Sequence, residues 1–510
     1  PSLCIPAMAA RAMPLLGCAG SVRNGSALPP ASAKVAAALA TATVAGRLLR
    51  HRAVATAASR RDRGYEGTSS PTASSSSSAA PCEEGELLEL RIESLTSHGQ
   101  GLARLGPTRW VVMAYGALPG ELVELRVTRN FRGRSEARLE QVLEASPDRV
   151  VPRCPVFERC SGCQYQHLHY DAQLRWKQQH VQDALSRIAG LQLPPDAVRP
   201  TVASPLQYHY RTKLTPHPQE PPPRRQRLAF RGAADGEQRT EAIGFLEEDW
   251  GAVRDSSGRR WKQVVDVAYC PIATEAINAA LPAARQLAFG SPEQLLLRDT
   301  TEDAVVTDGQ QIVTEVVPGF GAFSFRAGGF FQNNSSILPA FVQHVIDAAV
   351  GPGEAGGNVP EVLLDVYCGV GLFAISAAKR FRLVLGVEVD STAVSLAQLN
   401  AKAQGVSNAS FLAADASQGL LRIAQQASVA ASQIAVVIDP PRQGLSQEAR
   451  QALIELMPQR IVYVSCDCAT QARDLRDFVD AGYDIRSVTP FDLFPQTRHL
   501  EVVVVLERRT

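Results

Sequence analysis

VLLDVYCGVGLFAISAAKR (residues 362–380) and LVLGVEVD (residues 383–390) place in succession an apolar run, a glycine-bearing loop, a helix-forming run and a second apolar run. That order predicts strand, loop, helix and strand, the opening unit of a doubly wound parallel sheet. Asp365 ends the first strand, and Gly369 and Gly371 let a ligand approach the backbone. Glu388 ends the second strand, where a carboxylate can take the two hydroxyls of a ribose. A nucleotide-like ligand is expected in that crevice. The glycines do not follow G-x-G-x-x-G, and an acid at the end of the first strand suits the positively charged S-adenosylmethionine better than a pyrophosphate.

Working outward, later strand-like runs end at Asp415, at Asp439 in IAVVID, and at Cys466 in IVYVSC. The expected fold class is therefore α/β, a doubly wound Rossmann-like sheet at residues 341–510. An isolated cysteine at a strand end is more often a small apolar residue than a nucleophile. Here it has company, because Asp439-Pro440-Pro441-Arg442 ends one strand and Glu501 opens another, VVVVL. If that last strand runs antiparallel at the sheet edge, Glu501 reaches the rim that carries Asp439 and Cys466.

The 510 residues, 45% of them hydrophobic, suffice for about three domains once any tail is set aside. No apolar run is long enough to propose a membrane span. A net charge of +1 gives no global sign of a nucleic-acid partner, which has to be argued from local patches. Residues 1–80 are rich in Ala and Ser, carry eight arginines against Asp62 and Glu66, and end in the run Ser74–Ser78. They read as an organellar transit peptide and linker, chloroplast ahead of mitochondrion, with the start upstream of Pro1.

Residues 85–147 change to short alternating strands with turn signals between them, which predicts a small β-barrel. Arg126, Arg129, Arg132, Arg134 and Arg138 crowd one hairpin around Phe131, a patch suited to RNA phosphates and a stacked base. Residues 150–340 read as a central mixed α+β domain. It opens with Cys154, Cys160 and Cys163, in the spacing C-x5-C-x2-C, and a fourth cysteine, Cys270, lies far downstream. Such a set fits an iron–sulfur cluster or a Cys4 zinc site. The paired C-x-x-C knuckles of structural zinc are missing, which favours a 4Fe-4S cluster. Gln332, in FFQNN ahead of a helix, offers a polar group to a ligand.

HGQGLARLG (98–106) and ALPGELV (117–123) resemble the TRAM domain, an RNA-binding barrel. FFQNN, DVYCGVGLF, DPPRQGL, VSCDCATQARDL and RHLEVVVVLER stand in the order and spacing of the RNA 5-methyluridine methyltransferases. From Gly85 onward the chain is similar to that family. The resemblance implies Cys466 as nucleophile and Glu501 as base. It also implies Gln332, Tyr367, Leu372, Glu388, Asp415 and Asp439 as binders of S-adenosylmethionine, and a 4Fe-4S cluster on Cys154, Cys160, Cys163 and Cys270. The partner it implies is ribosomal or transfer RNA, bound by a monomer. Two departures stand out, SCDC (465–468) where the family reads SCNP, and HLE (499–501) where it reads HVE or HIE. Cys468 thus competes with Cys466 on chemistry alone.

The residue types suit that chemistry. Carbon 5 of uracil is a poor nucleophile until a thiolate adds to carbon 6, and a base must then remove the carbon 5 proton. The target base must also leave its stack to reach such a pocket. Two other classes are weighed against this one. A DPP tripeptide is also similar to that of amino-group methyltransferases, which need no cysteine, and the SCDC departure would suit an inactive RNA-binding homologue.

Overall fold

The computed structural model describes residues 80–194, 196–219, 242–247, 263–288, 295–301, 305–352 and 360–509. All but the last residue of the expected transit segment lies outside them.

The first element is a six-stranded sheet: β1 (Leu87–Arg91), β2 (Ser94–Leu95), β3 (Gln100–Leu105), β4 (Trp110–Tyr115), β5 (Leu122–Phe131) and β6 (Arg134–Glu144), in the order β1-β5-β6-β4-β3-β2. Burial alternates along β4 as the sequence WVVMAY alternates, so one face covers a core and the other meets water. The chain bends between β1 and β2, putting its front half on β5 and its back half on β3. That bend curls the sheet around its own core of Leu88, Ile92, Ala103, Val112, Val123 and Leu125.

Helix α1 (Tyr170–Arg187) leads into the central region. Two three-stranded sheets follow, one of β8 (His217–Pro218), β9 (Ile243–Leu246) and β10 (Val264–Asp266), the other of β7 (Lys213–Leu214), β11 (Leu297–Asp299) and β12 (Val305–Val306). Helix α2 (Glu275–Ala288) packs Ile277 and Leu281 against Leu214 and Leu297. The hairpin β13 (Ile312–Val317) and β14 (Gly321–Arg326) and helix α3 (Leu338–Val350) share one core with the sheet beyond, through Phe323, Phe325, Phe341 and Leu363.

That sheet has seven strands: β15 (Val362–Val366), β16 (Leu383–Glu388), β17 (Ala409–Ala413), β18 (Ile434–Ile438), β19 (Arg460–Ser465), β20 (Tyr483–Phe491) and β21 (Glu501–Arg508). Their order is β17-β16-β15-β18-β19-β21-β20, with β21 antiparallel to both neighbours and β15 to β19 parallel. β15, β18 and β19 are buried along their whole length, because helices cover both faces and their apolar runs need not alternate. The covering helices are α4 (Leu372–Ala377), α5 (Ser391–Ala403), α6 (Ala416–Ala427), α7 (Gln447–Leu456) and α8 (Cys468–Asp480). Among the described residues no helix is long and apolar enough to cross a membrane.

Candidate active site

The strand β15 ends in Asp365 and Val366, and Tyr367 just beyond it takes a left-handed φ of +69° that few side chains adopt. Gly371 follows at φ +90°, and a Cβ there would stand 2.7 Å from Ile375 Cδ1, so the turn into α4 requires glycine. Asp365 is buried and accepts the Ala374 N–H at 2.8 Å, while burial pushes its carboxyl up to about 7. Glu388 accepts the Gly369 N–H at 3.1 Å and the Asp390 N–H at 2.9 Å, which fixes its carboxylate above the glycine loop. Asn400, buried on α5, clamps the loop from behind. Its Nδ2 donates to Val370 O and Ser324 O, and its Oδ1 accepts the Ser324 N–H.

Cys466 and Glu501 meet because β21 runs against β19. The register pairs Ser465 with Val502, so Cys466 and Glu501 flank that last pair on adjacent strand ends. Asp439 stands one strand further along the same rim, after β18. Cys466, Glu501, Asp439, Arg442, Tyr367, Glu388 and Gln332 line one cavity of about 950 Å³. Phe330 and Val389, both strongly exposed, stand at its edge.

Two of the expected cofactor contacts lie elsewhere. Leu372 is buried in the core against the sheet, and Asp415 is an exposed cap whose side chain accepts from Ser417 N and Oγ at the start of α6. The two neighbouring cysteines are placed differently. Cys468 occupies the first position of α8 and packs against the apolar core, whereas Cys466 faces the cavity. Asp467 is the cap of that helix, accepting the N–H groups of Ala469 and Thr470 at 3.0 and 2.9 Å.

The electrostatics are those of a dry carboxylate pair. Burial raises Asp439 to about 7; burial, then the Asp439 charge, lifts Glu501 well above the usual carboxylate range. Glu501 is buried and its Oε2 has no hydrogen-bond partner among the described residues. Cys466 is pushed up to about 12 by burial and by the nearby carboxylates, with a hydrogen bond from Arg442 opposing them. Arg442 is therefore a cation that faces both Cys466 and Glu501. Its loop is pinned by α8: Thr470 Oγ1 donates to Arg442 O at 3.0 Å, and the buried Asp474 accepts from Leu445 N–H and Tyr463 O–H at 2.8 and 2.7 Å.

The segment between β20 and β21 is held from the other side. Lys177 and Asp492, both fully buried, pair at 2.6 Å, and Tyr210 O–H donates to Pro495 O at 2.9 Å. Gln496, at φ +68°, exchanges side-chain and backbone hydrogen bonds with Gln173 and accepts the N–H groups of Gln164 and Tyr165. A non-glycine residue held left-handed by so many partners is a mark of functional positioning. Nothing in the local sequence signals this anchoring, since Lys177 and Asp492 are 315 residues apart.

Cys154, Cys160, Cys163 and Cys270 line the same cavity as Cys466. Burial, followed by the charges of the other three, raises Cys163. Several donors point at these sulfurs: Gly162 N–H at 3.4 Å from Cys160 Sγ, the Gln166 side chain at Cys163, and the backbone amides of Ile272 and Ala273 at Cys270. Among the described residues no group of three or more His, Cys, Asp or Glu side chains is drawn together as a single-ion site.

Comparison with known proteins agrees with this geometry. Residues 320–509 match the family tRNA (Uracil-5-)-methyltransferase. The chain is 37% identical over 448 residues to the tRNA (uracil(54)-C(5))-methyltransferase of Schizosaccharomyces pombe, covering 84% of this chain and 79% of that one. It is 34% identical over 455 residues to a 23S rRNA (uracil(1939)-C(5))-methyltransferase of Pseudomonas putida, covering 83% and 94%. In fold it is similar to the Pyrococcus abyssi tRNA (uracil-54, C5)-methyltransferase crystallised with S-adenosyl-L-homocysteine, with TM-score 0.56 and 23% identity over 82% of this chain and all of that one. With its own thiol and carboxyl on one rim and relatives this close over most of their length, the chain belongs to the uracil-C5 RNA methyltransferase family.

Proposed function

We propose that the protein transfers a methyl group from S-adenosylmethionine to carbon 5 of a uridine in ribosomal or transfer RNA. The observation that carries this is the placement of Cys466 beside Glu501 where antiparallel β21 lies against β19, inside a sheet whose next crevice holds Glu388. Cys466 adds to carbon 6, and carbon 5 thereby becomes nucleophilic enough to take the methyl group. Glu501 then removes the carbon 5 proton, and Cys466 is expelled. Glu388 is the partner for the ribose hydroxyls, and Val389 and Phe330 offer apolar surface to a base. Gln332, Tyr367 and Asp439 contact the methyl donor from the cavity wall, and Leu372 and Asp415 act on it through the elements they hold.

Around the four cysteines the donor set suits a 4Fe-4S cluster. Backbone and amide N–H groups aimed at thiolates stabilise their charge, and a four-iron cube spreads its ligands wider than one ion does. Bound there, the cluster would cross-link the Cys154–Cys163 loop to Cys270. The curled N-terminal sheet serves as a TRAM-like RNA grip, residues 1–80 as an organellar address with the chloroplast favoured, and the active species is a monomer.

The test is nucleoside analysis of RNA from a strain lacking the protein, before and after treatment with the protein and S-adenosylmethionine. Appearance of 5-methyluridine is expected. A methylated exocyclic amine in its place, or no methylation of any RNA, would overturn the reading.

A further inference from the structure

The imidazole of His499 has no part in the reaction as described so far, yet it lines the cavity with Cys466, Arg442 and Glu501. Its position is built from several sides. The His499 N–H donates to Thr497 Oγ1 at 3.2 Å, the Arg498 N–H donates to Gln164 Oε1 at 3.3 Å, and the ring meets Phe494 edge-on with centroids 6.2 Å apart. Among the described residues no group hydrogen-bonds to either ring nitrogen, so the polar edge of the ring is left to whatever fills the cavity.

The surroundings also set its charge. Burial and the positive charges of Arg442, Arg498, Lys177 and Arg211 push His499 down to about 3, so the ring stays neutral. A neutral imidazole still has one N–H to donate and one nitrogen to accept. A fixed neutral donor in a dry site is well suited to an oxygen that gains charge only as the reaction proceeds.

We propose that His499 is a further substrate-contacting residue, its ring N–H donating to the 4-carbonyl oxygen of the target uracil and taking the charge that gathers there. This rests on the methyl transfer proposed above. When the Cys466 thiolate forms its bond to carbon 6, the carbon 5–carbon 6 π pair moves to carbon 4–carbon 5 and the carbonyl π pair settles on oxygen 4. The 2-carbonyl is not conjugated with that double bond and gains no such charge. The flow then reverses: carbon 5 bonds to the methyl group, whose former bonding pair stays on sulfur as a neutral thioether. Glu501 takes the carbon 5 proton, the double bond re-forms, and the thiolate departs.

The experiment uses the full chain and two transcripts, a tRNA and a 23S rRNA fragment, taking whichever the wild-type protein methylates. Each is made with uridine or 4-thiouridine at the target, since a thiocarbonyl is a weak acceptor. His499→Ala should slow single-turnover methylation of the uridine RNA about 10²–10³-fold, the loss expected for one donor to a developing oxyanion. Its dissociation constants for RNA and S-adenosylmethionine should stay within about twofold, because the interaction strengthens only in the transition state. The thio substitution should slow the wild type and slow His499→Ala little further, while His499→Gln, which keeps an N–H, should recover part of the rate. Penalties that multiply in the double combination, or a loss confined to RNA affinity, would overturn the assignment. If His499→Ala melts below the wild type, the same comparison is read in His499→Gln. Absence of 5-methyluridine from the wild type on either transcript would instead strike at the proposed reaction.

Discussion

At the scale of single residues, the order of bond changes separates Cys466 from Glu501. Addition and methyl transfer precede proton removal, so Glu501→Gln should stall after methylation and leave RNA bound covalently, visible as a slow band on a denaturing gel. Cys466→Ala should form no such band, alone or combined with Glu501→Gln. Cys468→Ala combined with Glu501→Gln should still form it, because the Cys468 side chain packs on the core rather than in the cavity. A band that follows Cys468 would reverse the assignment. The raised carboxyls add a pH dependence: Asp439 sits near 7 and Glu501 above the carboxylate range, and a base works only when ionised. Turnover should therefore climb as pH rises above the ordinary carboxylate range, and a rate that falls over that rise would contradict Glu501 as base. That Cys466 and Glu501 share one rim was legible in the sequence, because one follows a strand-like run and the other opens one. Which of Cys466 and Cys468 lines the cavity was not, since it depends on Asp467 capping α8 and on Cys468 packing against the core.

At the scale of elements, the hairpin of β5 and β6 divides its arginines between two settings. Five arginines surround Phe131 in sequence, but Arg126 and Arg138 both bind Glu140 at 2.7 Å, and Arg129 and Arg134 lie over the Phe131 ring at 4.6 and 4.7 Å. Glu140 is thereby held below the usual carboxylate range. Removing Arg129, Arg132 and Arg134 together should lower RNA affinity and reduce its salt slope by about one per lost phosphate contact. Removing Arg126 and Arg138 should do less, and equal effects would show that the Glu140 pairs do not persist on RNA. The parallel sheet, its glycine loop and the antiparallel last strand were readable from apolar runs and punctuation. The union of the β13–β14 hairpin with the core of the sheet was not readable, because it rests on long-range contacts such as the Asn400 clamp on Ser324. The buried Lys177–Asp492 pair was equally hidden, its partners lying on α1 and just beyond β20.

At the scale of the whole molecule, the set of four cysteines and Cys466 open on one cavity, although they come from separate regions of the chain. Protein purified without oxygen should be brown and carry about four irons and four sulfides per chain, as a four-cysteine cubane requires. Stoichiometric zinc without sulfide would replace the cluster by a zinc site. The shared cavity also affects how the enzyme can be titrated. A small alkylating reagent admitted to reach Cys466 passes Cys154, Cys160, Cys163 and Cys270 on the same walls. Mass counting of alkylated peptides would then show only Cys466 modified among these five in loaded protein, and progressively all five once iron is stripped. The degree of labelling, rather than the residual activity, would thus become a gauge of how much of a preparation holds the proposed cluster.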